Sequence, residues 1–337
     1  MAKRRASPRP RSTLAGGIDI GGTGIKVGIV DRRGNVHARA SAKTDPHEGL
    51  ESVLVRAIGA LSEACAEAGT TVDHLACVGV GAPGAVDADH GVVLEAVNMG
   101  WRDLPLRSIL RKRLGVPVSI DNDVTLAVVG ENLYGAGQRA RDLLGVWLGT
   151  GLGGGLILNG QLYHGHFRTA GEIGRGVVLP WAPPGAGSLE QVCSRTGIVE
   201  TLERLLRSGR ESVIFKLIGG DATQLKEGKT KEIDSKVLAE AWRAKDPLTV
   251  EVVEHAAHVL GTAIGGTVTL LSLGRVVLGG GLTESLGNRF LSLVRNAARK
   301  TIFPDRCRAV EIVHSELGDD AACIGAAHTA LRDSGNS

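Results

Sequence analysis

The sequence predicts an α/β protein of two similar lobes, each presenting a glycine loop to phosphate. Three observations carry that expectation. The stretch Gly16-Gly-Ile-Asp-Ile-Gly-Gly-Thr-Gly-Ile-Lys26-Val-Gly-Ile-Val-Asp31 sets a short apolar strand, a glycine turn bearing Thr23 and Lys26, and a second apolar strand side by side. The same pattern returns at Leu144–Gly160, around Gly149-Thr150-Gly151, and closes in a tight Asn159-Gly160 turn. Each hairpin is followed by helix, buried strand and a further glycine turn.

Glycines let backbone N–H groups approach an anion with no Cβ in the way, and Thr and Lys add donors. In Walker and Rossmann loops the glycines open a helix. Here Val27–Val30 instead runs into the turn signal Asp31-Arg-Arg-Gly34, and Val36 resumes an extended pattern. The result is a β-hairpin around a phosphate. With 48 glycines in the chain, either loop alone says little, and the matched pair carries the argument.

The remaining elements follow in order. Leu50, Val53, Leu54, Ala57, Ile58, Leu61 and Cys65 recur at helical spacing and end at Gly69. Ala76–Val80 reads as a buried strand, with Gly81-Ala-Pro-Gly84 at its carboxyl end. Val116–Ile120 is another, ending in Asp121-Asn122-Asp123, and a helix over Val124–Tyr134 follows. Ligands of open α/β sheets bind at that end of the strands. Gln161–Leu189 is loop-rich. Helices are expected around Glu190–Arg207, Ser235–Arg243 and Pro247–Leu273. A strand at Arg275–Leu278 meets Gly279-Gly280-Gly281, and helix 283–300, strand Val310–His314 and helix 319–331 close the chain. Gly219–Lys236 is polar and reads as a surface excursion.

A chain of 337 residues accommodates two domains, and 3% aromatics implies an aliphatic, Ala/Gly-packed core. No apolar run is long enough to span a membrane. The net charge of +3 is local: Lys3, Arg4, Arg5, Arg9 and Arg11 precede Leu14 with no acidic residue, and the rest carries −2. The first 14 residues therefore read as a disordered basic tail that lacks a signal peptide's apolar core, dispensable for fold and activity. Five scattered cysteines without a Cys-x-x-Cys pair suggest a reducing, cytoplasmic setting.

Asp121-Asn122-Asp123 is the first chemical candidate. Two carboxylates flanking an amide suit a polyol, and one aspartate can position a hydroxyl and take its proton in phosphoryl transfer. Equally, Asp121 or Asp123 could only cap the helix that follows. Glu172, in Ala170-Gly-Glu-Ile-Gly174-Arg175, can reach a pocket or remain solvated. His164 and His166 have no third ligand nearby and read as surface residues.

In combination, Asp19-Ile-Gly-Gly-Thr23 with Lys26, Gly81–Gly84, Asn98-Met-Gly-Trp101, Asp121–Asp123, Leu148–Gly151 with Gly155, Ala170–Gly174 and Gly279–Gly281 resemble the ROK family of bacterial sugar kinases and repressors. The likeness spans about residues 15–332 and is closest to the family's glucokinases. It implies an actin-like (ribonuclease H-like) ATPase fold of two lobes, 15–135 and 136–332, with the active site in the cleft. It also implies roles. Asp19, Gly21, Gly22, Thr23 and Lys26 match the first phosphate loop, Gly149, Thr150 and Gly151 the second, and Gly279, Gly280 and Gly281 the adenosine contact. Asp123 matches the catalytic base. Gly84, Asn98, Asn122, Glu172 and Glu190 match the sugar site, with Arg175 beside them.

The implied activity is transfer of the ATP γ-phosphoryl group, with Mg²⁺, to the 6-hydroxyl of a hexose, glucose first, by a cytoplasmic homodimer. Alternatives are a sugar-binding regulator with weak or no kinase activity, another hexose or N-acetylhexosamine, or polyphosphate as donor. The family's repressors carry a winged helix-turn-helix ahead of the first loop, where this sequence has about fifteen residues, so specific DNA binding is not expected. The family commonly places a His where this chain has Arg175, and joins it to three downstream cysteines around zinc. Val177–Leu189 contains no Cys. No structural zinc is expected, and Arg175 is expected to reach Glu172, Glu190 or the sugar.

Overall fold

The computed structural model describes residues 13–183, 185–226, 228 and 230–335. The expected basic tail lies outside them except for Thr13 and Leu14, and Leu14 already belongs to a strand.

That strand, β1 (Leu14–Ile20), runs through the glycine turn into β2 (Gly24–Asp31), and β3 (Val36–Lys43) follows. Helix α1 (Leu50–Glu67) buries Val53, Leu54, Ala57, Leu61 and Cys65, the helical stripe read from the sequence. Strand β4 (Val78–Ala82) is wholly buried. Next come β5 (Ala85–Asp87), β6 (Val92–Ala96), β7 (Trp101–Leu104) and α2 (Leu106–Leu114), a short sheet and helix absent from the sequence reading. Strand β8 (Val118–Asn122) then leads into α3 (Asp123–Tyr134).

The second unit begins with β9 (Leu143–Leu148), β10 (Leu152–Leu158) and β11 (Gln161–Leu162). Helices α4 (Leu189–Cys193), α5 (Arg195–Arg207), α6 (Ile214–Ile218), α7 (Ala222–Lys226) and α8 (Ser235–Arg243) follow. Thus the single helical region expected around Glu190–Arg207 is two helices divided at Ser194, and the polar excursion contains α7. Helix α9 (Pro247–Leu271), β12 (Arg275–Gly279), α10 (Gly281–Thr301) and β13 (Glu311–His314) complete this unit, and α11 (Ala321–Asp333) ends the described chain.

The two main sheets share one topology. The first has the order β3-β2-β1-β4-β8 and the second β11-β10-β9-β12-β13. In each, the hairpin strands are antiparallel and the next two strands join in parallel. Each sheet has its own aliphatic core, one around Ile18, Val80 and Leu106 and the other around Leu144, Leu260 and Phe290.

The partition corrects the expected boundary 136–332. One compact unit runs to Tyr134 and takes in 166–169 and the chain from Asp319; the other holds 135–165 and 170–318. Helix α11 therefore belongs to the first unit, packed on β1, β4 and α3. The physical reason is its small residues. A Cβ on Gly17 would lie 1.9 Å from the Cys323 carbonyl oxygen, and one on Gly325 1.8 Å from that of Leu126. Backbones meet where side chains would otherwise stand. Gly325→Ala is expected to destabilise the protein by about 3 kcal/mol or more, because neither backbone can yield. An unchanged urea midpoint would contradict this close contact.

In the second unit, Asp246 caps α9 while buried. Its carboxylate accepts hydrogen bonds from Thr249 N (2.9 Å), Val213 N (3.0 Å) and Ser212 Oγ (2.9 Å), tying the start of α6 to the long helix.

Candidate active site

In the first unit, the turn between β1 and β2 is closed by Gly21 N–H donating to the Gly24 carbonyl at 2.9 Å. Thr44 at the end of β3 braces it, its hydroxyl donating to the Gly21 carbonyl at 2.7 Å. Gly22 and Thr23 form the tip, and a Cβ on Gly22 would meet nothing. Strand register sets Asp19 directly opposite Lys26. Lys26 pairs with Asp319, and Arg39 on β3 holds Asp320 through Nε (2.9 Å) and Nη2 (2.6 Å). The entry to α11 is thereby fastened to the hairpin. Burial pushes the Asp19 carboxyl up to about 6; Lys26 opposes the shift and the Asp319 charge adds to it. Asp319 was missed by the sequence reading.

At the carboxyl ends of β4 and β8, Asp121, Asn122 and Asp123 divide the work differently from the simplest expectation. Asn122 is the helix cap: its Oδ1 accepts from Thr125 N at 2.9 Å. Its amide donates to the Gly84 carbonyl (3.0 Å) and to Asp123 Oδ1 (2.9 Å). Asp123 Oδ1 also accepts from Val124 N at 2.9 Å, and Asp121 Oδ1 from Asn122 N at 2.8 Å. Gly84 takes φ of +82°, and a Cβ there would sit 2.1 Å from the Glu95 carbonyl oxygen. Asp123 is thus held at a helix N-terminus, where a negative charge is favoured. Asn98 sits exposed in a 3₁₀ turn, Val97–Met99, after β6.

The second unit repeats the loop. Between β9 and β10, Gly149 N–H donates to the Gly151 carbonyl at 2.9 Å, leaving Thr150 exposed at the tip. Glu190, at the start of α4, turns under the loop and accepts from Leu152 N at 2.8 Å. Arg175 Nη1 lies 3.5 Å from Glu190 Oε1. Glu172, although exposed, is raised above the usual carboxylate range by desolvation; Arg175 lowers it and the Glu190 charge raises it. These three residues share one electrostatic environment beside the loop.

The segment from Gly176 to Ser188 is held by its own backbone. Val177 bridges Ser188, Val178 N and Leu179 N both donate to the Gly187 carbonyl, and Leu189 N donates to the Gly176 carbonyl. A capping box between Ser188 and Gln191 fixes its end. Among the described residues, no group of three or more His, Cys, Asp or Glu could hold a metal.

Gly279–Gly281 join β12 to α10. A Cβ on Gly279 would strike the Trp147 ring at 2.5 Å, and one on Gly280, whose φ is +89°, the Leu148 carbonyl oxygen at 2.4 Å. This glycine run therefore lies against β9, immediately before the second loop. Beside it is a cavity of about 290 Å³ lined by Leu278, Glu284, Gly287, Asn288, His314 and Ser315. Burial and the Arg295 charge lower the His314 pKa, favouring the neutral ring. Glu284, Asn288 and His314 were missed because nothing in their spacing marks them before β13 and the kink in α10 at Gly287 bring them together.

Arg195 was also missed. Its Nη2 donates to Thr150 Oγ1 at 2.7 Å and its Nη1 to Ser235 Oγ at 3.0 Å. The only sequence signal is a cation at the first position of a helix whose first turn has no acidic residue.

A glucokinase of Halalkalibacterium halodurans is 32% identical over 92% of this chain and 92% of its own length. A glucokinase of Thermotoga maritima is 30% identical over 92% of this chain and 95% of its own length. The crystal structure of a ROK family glucokinase from Streptomyces griseus, in complex with glucose and AMPPNP, superposes with a TM-score of 0.80 at 30% identity, covering 95% of this chain and 99% of that one. The fold is the two-lobed actin-like ATPase fold of these sugar kinases. With the family profile matching residues 15–333, this chain belongs to the ROK family.

Proposed function

We propose that this protein is a glucokinase, an ATP-dependent hexose kinase that phosphorylates the 6-hydroxyl of glucose. The observation that carries the reading is Asp123, fixed by Asn122 and Val124 N at the carboxyl end of β8, in a chain so similar to glucokinases. In the reaction the hydroxyl oxygen attacks the γ-phosphorus, the bond to the bridging oxygen breaks, and ADP leaves. Asp123 aligns the hydroxyl and accepts its proton. Asn122 keeps that carboxylate in place; Gly84, Asn98 and Asn122 are the sugar ligands proposed for the first unit, and Glu172, Arg175 and Glu190 those proposed for the second. Each glycine loop offers backbone N–H groups to phosphate, with Thr23 and Lys26 in the first and Thr150 in the second. Gly279–Gly281 and the neighbouring cavity receive the adenosine.

The donor set fits Mg²⁺. Asp19 offers a carboxylate that accepts no hydrogen bond among the described residues, with Asp319 nearby, and hard oxygen ligands suit an ion that otherwise keeps water and phosphate. Bound there, Mg²⁺ would neutralise phosphate charge. Arg175, paired to Glu190, stands where the family commonly has a zinc-held imidazole, and no structural zinc is part of this reading. The reading is of a cytoplasmic homodimer acting on sugar and nucleotide, without specific DNA binding. Family likeness supports the dimer. Retention of Asp123, Lys26 and both Thr-bearing loops supports a kinase over a sugar-binding regulator. No helix among the described residues is long and apolar enough to cross a membrane.

The test is a coupled assay of the full chain against glucose, mannose, N-acetylglucosamine and N-acetylgalactosamine, with ATP or polyphosphate as donor. It is repeated after treatment with strong chelator and restoration of Mg²⁺. Glucose with ATP is expected to give the highest kcat/KM, unchanged by the chelator. A different preferred hexose or donor would replace the substrate assignment, and no turnover with any pair would favour the regulatory reading.

A further inference from the structure

The geometry points to Arg195 as a phosphate-binding residue of the second glycine loop, supplying a fixed guanidinium to the polyphosphate of the donor. This rests on the kinase reading and adds a residue to it. Three contacts bind the start of α5 to the loop: Arg195 N donates to the Gly149 carbonyl (3.0 Å), Thr196 Oγ1 to the Thr150 carbonyl (2.8 Å), and Arg195 Nη2 to Thr150 Oγ1 (2.7 Å). Ser235 Oγ accepts from Nη1 at 3.0 Å and fixes the plane of the guanidinium from the other side. The cation is therefore held against the exposed tip of the loop.

Its charge has no partner there. Arg175, Arg207, Arg210 and Arg289 of the same unit each meet a carboxylate. Arg195 meets two hydroxyls and, among the described residues, no carboxylate. It also occupies the first position of a thirteen-residue helix with no acidic residue in its first turn. That position adds a positive charge to the positive end of the helix dipole, an unfavourable pairing without an anion. A guanidinium has five N–H donors, and two are used, so three remain for phosphate oxygens in the geometry that Arg recognises best. Thr150 then presents the hydroxyl and Arg195 the charge.

A purely structural clamp would make the same two hydrogen bonds, and the test separates the two roles. Calorimetric titration of the full chain with MgATP and with AMP, at two salt concentrations, is compared for wild type, Arg195→Gln and Arg195→Lys. The Gln variant is expected to bind MgATP about 10-fold or more weakly and with a shallower salt dependence, while AMP affinity and glucose KM stay within about twofold. The Lys variant keeps the charge without the planar fork, and its MgATP affinity is expected to fall between those of wild type and Gln. Equal MgATP affinity in wild type and Gln, or equal loss of MgATP and AMP, overturns the assignment. If the Gln variant does not fold, Arg195→Met takes its place as the uncharged variant, read by the same outcomes. Wild type that binds no nucleotide overturns the kinase reading itself and the assignment with it.

Discussion

Asp123→Asn is expected to lower kcat by about 100-fold or more while leaving glucose affinity within a few-fold of wild type. The amide preserves the size and planarity of the group, so the hydroxyl can still be met by a hydrogen-bonding partner. What disappears is the ability to take a proton as the oxygen attacks. The local frame tolerates the change, because an Asn carbonyl oxygen can still accept from Val124 N and from the Asn122 amide, which the structure places at 2.9 Å each. Helix α3 should start where it did, and a thermal melt should show at most a small loss from the missing charge at its N-terminus. Rapid-quench and steady-state kinetics with a glucose titration decide the matter. A variant retaining near wild-type kcat would remove Asp123 from the base role, and a variant that lost glucose binding in step with turnover would make it a sugar ligand instead.

Asp19→Asn should produce opposite effects on stability and activity. Desolvation raises the Asp19 carboxyl from 3.8 to about 6, against the pull of Lys26. A carboxyl whose pKa is higher folded than unfolded binds its proton more tightly in the folded state. Its ionised form therefore costs stability at neutral pH, and that cost fades as pH falls from about 6 toward 3.8. Removing the charge should raise stability at pH 7.5 by about 1–2 kcal/mol, discounted for screening, with the gain shrinking toward pH 4. Turnover should collapse over the same substitution, since an amide is a poor Mg²⁺ ligand, and wild-type kcat/KM should decline below about pH 6 as Asp19 takes a proton. Urea titrations at two pH values, with activity assays on the same samples, test both halves. A variant that is less stable at pH 7.5, or that keeps its Mg²⁺-dependent rate, would contradict the reading.

What the sequence makes legible follows from where each signal resides. Both hairpins are local: apolar runs and a glycine turn lie within sixteen residues for the first, and the structure places strands where the pattern asks for them. The amphipathic stripe of α1 is equally self-contained. Strands β5 to β7 are three to five residues long, too short for alternation to register. For the site, Asp121-Asn122-Asp123 is visible as a cluster, but only the hydrogen bonds show that Asn122 caps the helix and restrains Asp123. Asp319 lies 293 residues from Lys26, and no spacing rule spans such an interval. Arg195 is one arginine among many until Thr150 and Ser235 are found on either side of it.

The return of α11 to the first unit has a consequence for how the protein is made. Residues Gly17 and Gly79 of β1 and β4 are shaped to receive the backbone of Cys323 and Ala326, so that sheet is covered only after residues 321–333 have left the ribosome. The second unit, 135–165 with 170–318, has all of its own sheet and helices before α11 is made. Until α11 arrives, the face of the nascent N-terminal sheet that it covers is open to non-native contacts. A truncation that removes residues 321 onward, and α11 with them, would thus leave the most N-terminal strands without that cover.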